Sequence, residues 1–169
     1  MMPLLADLPA GRNVMVDANV LIYALAHEPT FGDPSRDFVN RVLRGEVSCV
    51  ATVAQLAEVL HRLLLSEAAS MHGFPQQGLL RRLQKSPDLV RPLHTHAESL
   101  KQLVQSAFEV IEVSQHHLWN SHALRQTHGL LVNDSILLAV MLDQGLTDLV
   151  TQDSDFDTVP GITVWKPVL

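Results

Sequence analysis

The sequence predicts an α/β domain built on an open, parallel sheet, and three observations carry that expectation. Short apolar runs of strand length alternate with segments of helical periodicity, the pattern of strands joined by crossover helices. The first run, inside NVMVDANVLIY at residues 13–23, stops abruptly at Asp17, and a later one runs into TQDSDFD at 151–157. Carboxylates therefore stand where strands end, and in an open parallel sheet the ligand crevice lies beyond those ends. The third observation is residues 134–144, apolar on nearly every side, a helix that only the middle of a domain can bury.

Taken in order, residues 14–16 form the first strand and Asp17 follows it. Alone, an Asp in this place reads as a turn former or as the N-cap of the next helix; its companions decide whether it does more. The helix after it runs from Ala18 to about Ala26 and is closed by the polar stretch 27–33. Asp33 as N-cap and Pro34 at the first helical position open a second helix to Gly45. Phe38, Val42 and Leu43 supply its apolar face, and Arg36, Arg41 and Arg44 a solvated or phosphate-contacting one. Residues 47–50 are the second strand. Thr52 with Gln55 makes a capping-box pair for a helix to about Ala69, with Val53, Leu56, Leu60 and Leu64 as its buried stripe. Glu58 lies beside that stripe, near a helix N-terminus whose dipole favours a carboxylate and from which it can also face a crevice.

Pro75 is expected to open a helix through Lys85, with Arg81, Arg82 and Lys85 as its basic face. A loop with two prolines follows at 86–96, then an amphipathic helix at 97–108. His94 and His96 form an isolated HxH pair without the further Cys or His of a structural zinc site, so they read as surface loop residues. EVIEV at 109–113 alternates polar and apolar as a third strand, and Ser114 caps a helix that stops at Gly129. His116, His117, His122 and His128 contain no i, i+4 pair and read as partly exposed structural residues. Asn133 is placed to cap the apolar helix, which leaves the carboxylate of Asp134 free. Residues 148–151 and 162–165 are the fourth and fifth strands, and Asp153 and Asp155 leave the fourth on one side of an extended turn.

A chain of 169 residues is long enough for one domain with a real core, so residues 1–169 are expected to form a single domain. Hydrophobic residues at 47% and charged ones at 18% exclude a disordered chain. One cysteine, Cys49, permits no disulfide within the chain and fits a reducing, cytoplasmic setting. The first twelve residues have no basic residue before their leucines and do not read as a targeting signal; the run 136–142 is too short to span a bilayer, so no membrane is expected. The net charge of -6 is unevenly placed: residues 1–108 carry ten basic and ten acidic residues, whereas 109–169 carry two and eight. That balance argues against a passive nucleic-acid binder, which needs a basic field, but not against an enzyme whose acids hold metal ions.

Asp17, Glu58, Asp134 and Asp153, with Asp155 nearby, each stand at the start of a helix or the end of a strand. Parallel strands bring such termini to one edge, where uncompensated carboxylates would repel and raise one another's pKa values. The cluster makes sense as a cage for hard divalent cations, Mg²⁺ or Mn²⁺, which prefer oxygen ligands and leave positions for water and phosphate. Phosphodiester hydrolysis is the chemistry that such a centre serves.

The stretches VMVDANVLIYAL, AQLAEVLHR, GLLVNDSILLAVMLDQG and LVTQDSDFDTVPGITV together resemble a PIN domain, most closely the VapC-like toxin ribonucleases of bacterial toxin-antitoxin pairs. The resemblance covers roughly residues 12–66 and 109–166. It implies a three-layer α/β/α sandwich with a central parallel sheet, about five-stranded when the strands above are counted, and an Mg²⁺- or Mn²⁺-dependent endoribonuclease. Asp17, Glu58, Asp134 and Asp153 match the acidic quartet of the family, Asn19 and Thr151 its accessory polar positions, and Asp155 a more variable one. A homodimer and an inhibitory antitoxin that inserts a residue into the acidic site are further implications. The segment between the Glu58 helix and the third strand is longer than in the shortest toxins, by a helical elaboration at about 87–108. Basic residues that could track RNA are few, with Arg36, Arg62, Arg81 and Arg82 as the candidates for substrate binding. Two other readings compete. A haloacid-dehalogenase-type phosphatase also opens on a strand ending in Asp, but needs a second Asp where Asn19 stands. A catalytically silent PIN-fold scaffold that binds RNA or protein is the other, since fold does not fix function.

Overall fold

The computed structural model describes residues 3–26 and 28–168; His27, assigned above to the stretch closing the first helix, lies outside the described residues. The elements alternate as expected. In chain order they are β1 (Asn13–Val16), α1 (Ala18–Leu25), α2 (Gly32–Leu43), β2 (Ser48–Thr52), α3 (Val53–His72) and α4 (Leu79–Lys85). Then come α5 (Thr95–Ala107), β3 (Phe108–Ile111), α6 (Gln115–His128), α7 (Val132–Asp143), β4 (Asp148–Val150) and β5 (Thr163–Trp165). All five strands are parallel, in the order β3-β2-β1-β4-β5.

Helices cover both faces of this sheet. Val14 and Val16 of β1, with Cys49 and Ala51 of β2, point into a core shared with α1, α2, α3 and α5. Met15 and Val50 point the other way, into a core with Leu137, Leu138, Val140 and Met141 of α7. Burial on both faces is why β1 reads as a continuous apolar run, where a half-solvated strand would alternate. The architecture is thus a three-layer α/β/α sandwich. A smaller apolar cluster of Ala68, Leu79, Leu83 and Leu93 lies under α4 at the far end of α3. No described helix is long and apolar enough to cross a membrane.

Several local expectations are corrected. The stripe that α3 buries runs through Gln55, Val59, Leu63 and Ala68; Leu56, Leu60 and Leu64 flank it half-buried, and Val53 is 50% exposed. Packing on both the sheet and its neighbouring helices gives α3 a wide apolar face, and helical period alone does not select the central row. Asp33 lies inside the first turn of α2, ion-paired with Arg36, while the Glu28 carboxylate accepts from the Thr30 and Phe31 N–H groups ahead of the helix. Leu43 is exposed and Val39 buried in its stead. Helix α4 starts at Leu79 and not at Pro75, because Gly78 just before it has φ +76°, a left-handed conformation that no helix continues. Strand β3, expected at 109–113, runs Phe108–Ile111 and has no buried residue, as an edge strand can. Asn133 caps nothing: α7 begins after Leu131 with no side-chain cap. His96 is no surface loop residue; its Nδ1 lies 2.6 Å from Glu67 Oε2, and both side chains are nearly covered. His117 is also buried, closing a capping box with Ser114.

Candidate functional site

The order of the strands puts β1 beside β4, where the direction of winding reverses, and the crevice of such a sheet opens there. Asp17 is the first residue after β1 and Thr151 the first after β4. Asp17 does cap α1, accepting from the Ala18 N–H at 2.7 Å, but its other oxygen takes two further bonds. The Thr151 hydroxyl and the Asn19 amide both donate to Asp17 Oδ2, each at 2.7 Å. Thr151 is fully buried, and its oxygen also accepts from Asn19 at 2.9 Å and from the Asp153 N–H at 3.0 Å. One hydroxyl therefore joins the ends of β1 and β4 and fixes where Asp153 begins.

Asp134, in the first turn of α7, faces this network from the other layer. Asp134, Asp153 and Asp155 each offer a carboxylate oxygen within 4.8 Å of the others. Burial raises the Asp134 pKa to about 6, with the negative charges of Asp153, Asp17, Asp155 and Glu58 adding to it. Burial likewise raises that of Asp17; the bonds from Thr151 and Ala18 oppose the rise, and Glu58 and Asp153 reinforce it. All five acids singled out from the sequence thus share one field. Glu58, exposed on α3, Asp17 and Asp134 line a pocket of about 140 Å³ with Gln55, Asn133 and Val113.

Three participants were not legible as such in the sequence. Gln55 does more than cap α3: its amide donates to the Val16 carbonyl at 2.6 Å, tying the start of the Glu58 helix to the end of β1. Tyr23 feels the charges of both the centre and Arg62. Burial raises the pKa of its hydroxyl, Glu28, Asp17 and Asp153 add to the rise, and Arg62 opposes it. Lys166, buried under the loop that carries Asp153, is the third. Its only sequence signal is a lone cation in an acidic tail.

The basic candidates are scattered. Arg62 sits one turn beyond Glu58 on α3 and is exposed. Arg36 is ion-paired with Asp33 and lines a different groove, of about 490 Å³, between α1, α2, α3 and α5. Arg81 and Arg82 lie on α4, with the Arg82 guanidinium 4.2 Å from the centre of the Phe74 ring.

The donor set fits a hard divalent cation. It is all oxygen, three carboxylates approach closely, and Asp134, its pKa raised first by burial and then by four neighbouring acids, is a site where a cation would offset both costs.

The model of the PIN domain family matches residues 14–162. No curated protein matches the chain. Among solved structures it is similar to a toxin-antitoxin complex from Klebsiella pneumoniae, at 22% identity and a TM-score of 0.56, over 91% of this chain and 97% of that one. It is also similar to VapBC2 from Rickettsia felis bound to a promoter DNA fragment, at 16% identity and 0.55, over 91% and 98%. A third is VapC20 from Mycobacterium tuberculosis, a Sarcin-Ricin loop cleaving toxin, at 15% and 0.59, over 90% and 98%. At these identities the likeness is one of fold. The family model, in contrast, runs from β1 to the turn before β5 and takes in every acid of the centre, and the chain belongs to the PIN domain family.

Proposed function

We propose that this protein is an endoribonuclease that hydrolyses RNA phosphodiester bonds with Mg²⁺ or Mn²⁺, and that it is the toxin of a toxin-antitoxin pair. The observation that carries the proposal is the convergence of Asp17, Glu58, Asp134, Asp153 and Asp155 on the switch point of a PIN fold. Asp134, Asp153 and Asp155, with Asp17 and Glu58, are the residues that would hold the cation. When bound, the cation supplies Lewis acidity toward the scissile phosphate and lowers the pKa of water.

The chain's own residues do the rest. Asn19 and Thr151 donate into Asp17 and hold its carboxylate in one orientation, with lone pairs left for a ligand. Glu58, exposed where it lines the pocket, can take a proton from the attacking water when it is not holding the cation. Arg62 offers phosphate a cation one turn away, whereas Arg81 and Arg82, on α4 at the far end of α3, would meet only a more distant part of an RNA. Arg36 is the weakest of the four, since Asp33 already pairs with it.

RNA as substrate is supported by the similar toxin that cleaves the Sarcin-Ricin loop, and an antitoxin partner by the similar complex from Klebsiella. A homodimer and a cytoplasmic location belong to the same reading, with residues 1–169 acting as one domain. Against the phosphatase alternative, the position that would carry its second acid is Asn19, whose amide donates to Asp17 and Thr151.

The test is cleavage of end-labelled RNA with Mn²⁺, with Mg²⁺ and with chelator, alongside Asp17→Asn. Cleavage that requires the metal and is lost in the variant is expected. A folded wild-type protein that cuts no RNA under any of these conditions would favour the silent scaffold.

A further inference from the structure

A buried lysine needs an explanation, because its ammonium is seldom hidden unless it is paired. Lys166 is one of two basic residues after residue 108, and its side chain is 7% exposed. Its Nζ lies 2.9 Å and 3.0 Å from the two oxygens of Asp157; one accepts a hydrogen bond and the other has only the ammonium's charge opposite it. The same Nζ donates to the Asp153 carbonyl at 3.3 Å. The backbone of Lys166 is itself held on both sides, donating to Pro3 O at 3.1 Å and accepting from Leu5 N at 2.7 Å.

The loop above it carries two of the three close carboxylates. Asp153 is fixed at its N–H by Thr151 and at its carbonyl by Lys166, and its carboxylate accepts from the Asp155 N–H at 2.9 Å. Phe156, wholly buried, anchors the loop between Asp155 and Asp157. Val168 N–H reaches back to the Gln152 side chain at 3.3 Å, so the segment after β5 holds the loop at both ends.

We propose that Lys166 is the positioning residue of the acidic centre: its ammonium clamps Asp153 and Asp157 from beneath and sets the distance of the Asp153 and Asp155 carboxylates from Asp134. The proposal rests on the reading of those acids as ligands of a divalent cation. Position and charge make opposite predictions here. A nearby ammonium repels a cation, so by charge alone its removal strengthens metal binding. A clamp predicts that its removal weakens binding, as loss of a group that orients metal ligands does, by about 10- to 100-fold.

The experiment is calorimetric titration of Mn²⁺ into wild-type protein, Lys166→Met, Lys166→Arg and the double variant Lys166→Met/Asp157→Leu, with chelator-treated samples melted to confirm folding. The single Met variant leaves Asp157 buried without its partner, which endangers the fold. The double variant removes the pair together, a change that is usually near neutral in stability and leaves the net charge unaltered. Expected are wild-type binding, weakening by about 10-fold or more in the double variant, and recovery of most of it in Lys166→Arg. Wild-type affinity in the folded double variant, or tighter binding, overturns the clamp and leaves the metal reading standing. No binding of Mn²⁺ by the wild type overturns both.

Discussion

Replacing Asp134 by Asn should stabilise the metal-free protein, and the gain should depend on pH in a stated way. The Asp134 pKa is raised from 3.8 to about 6 by burial and by four neighbouring acids. The folded state therefore binds this proton more tightly than the unfolded chain. Below pH 4 both states hold it and nothing is lost; as pH rises from 4 through 6, ionisation charges the cluster and stability falls, levelling off above 6. About two pH units correspond to about 3 kcal/mol as a ceiling. Solvent screens a group only partly buried, so about 1.5 kcal/mol is the better figure. For a chain of this size that is a gain of roughly 3–6 °C in melting temperature at pH 7.5 and little at pH 4.5. Thermal melts of both proteins in chelator at the two pH values measure it. Equal gains at both pH values, or none at 7.5, would refute the claim that burial and the neighbouring acids make ionised Asp134 costly to the fold. With millimolar Mn²⁺ the order should narrow or invert, since only the wild type keeps the full ligand set.

The remaining expectations concern what holds the centre in place. Gln55→Ala breaks both the capping box and the bond to Val16 O, so it should cost about 1–3 kcal/mol and slow cleavage by loosening Glu58, measured by melting and by turnover on RNA. Burial works against ionisation of Glu67, but the N–H groups of His96, Thr95 and His94 and the His96 ring outweigh it and hold its pKa at about 2. Stability from this group is full above pH 4.5 and is lost as pH falls toward 2, and Glu67→Gln should remove about 1 kcal/mol of it at neutral pH while sparing cleavage by the folded fraction. A Glu67→Gln protein with unchanged melting but lost cleavage would put Glu67 in the catalytic machinery.

The fold was legible where residues are buried on both sides. Val14, Met15 and Val16 are apolar without alternation because each faces a helical layer, and the same holds for α7 through Leu137, Leu138, Val140 and Met141. Where burial is one-sided or wide the reading slipped: β3 has Glu109 and Val110 both exposed, and α3 has apolar residues on adjacent rows. In the candidate site, a carboxylate after a strand or near the start of a helix is a local pattern, so Asp17, Glu58, Asp134, Asp153 and Asp155 could be picked out from the sequence. Lys166 could not, because nothing in its neighbours along the chain shows that Asp153 and Asp157 lie above it. Gln55 was seen only as half of a cap, since its second bond spans 39 residues.

The hydroxyl of Thr151 reaches Asp17 across 134 positions of sequence, and this has a consequence for a chain that emerges from a ribosome one residue at a time. Asp17 and Glu58 leave the exit tunnel well before β4 and the loop that follows it, Asp134 shortly before them, and the two layers of helices can begin to form without β4 and that loop. The acidic centre cannot, because Asp153 and Asp155 acquire their places only when β4 has slotted in beside β1 and Lys166 has closed under the loop. Ribosomal RNA is the RNA nearest to any nascent protein. On the nuclease reading proposed above, a chain built in this order gains its acidic centre only once the loop after β4 is in place and Lys166 lies beneath it.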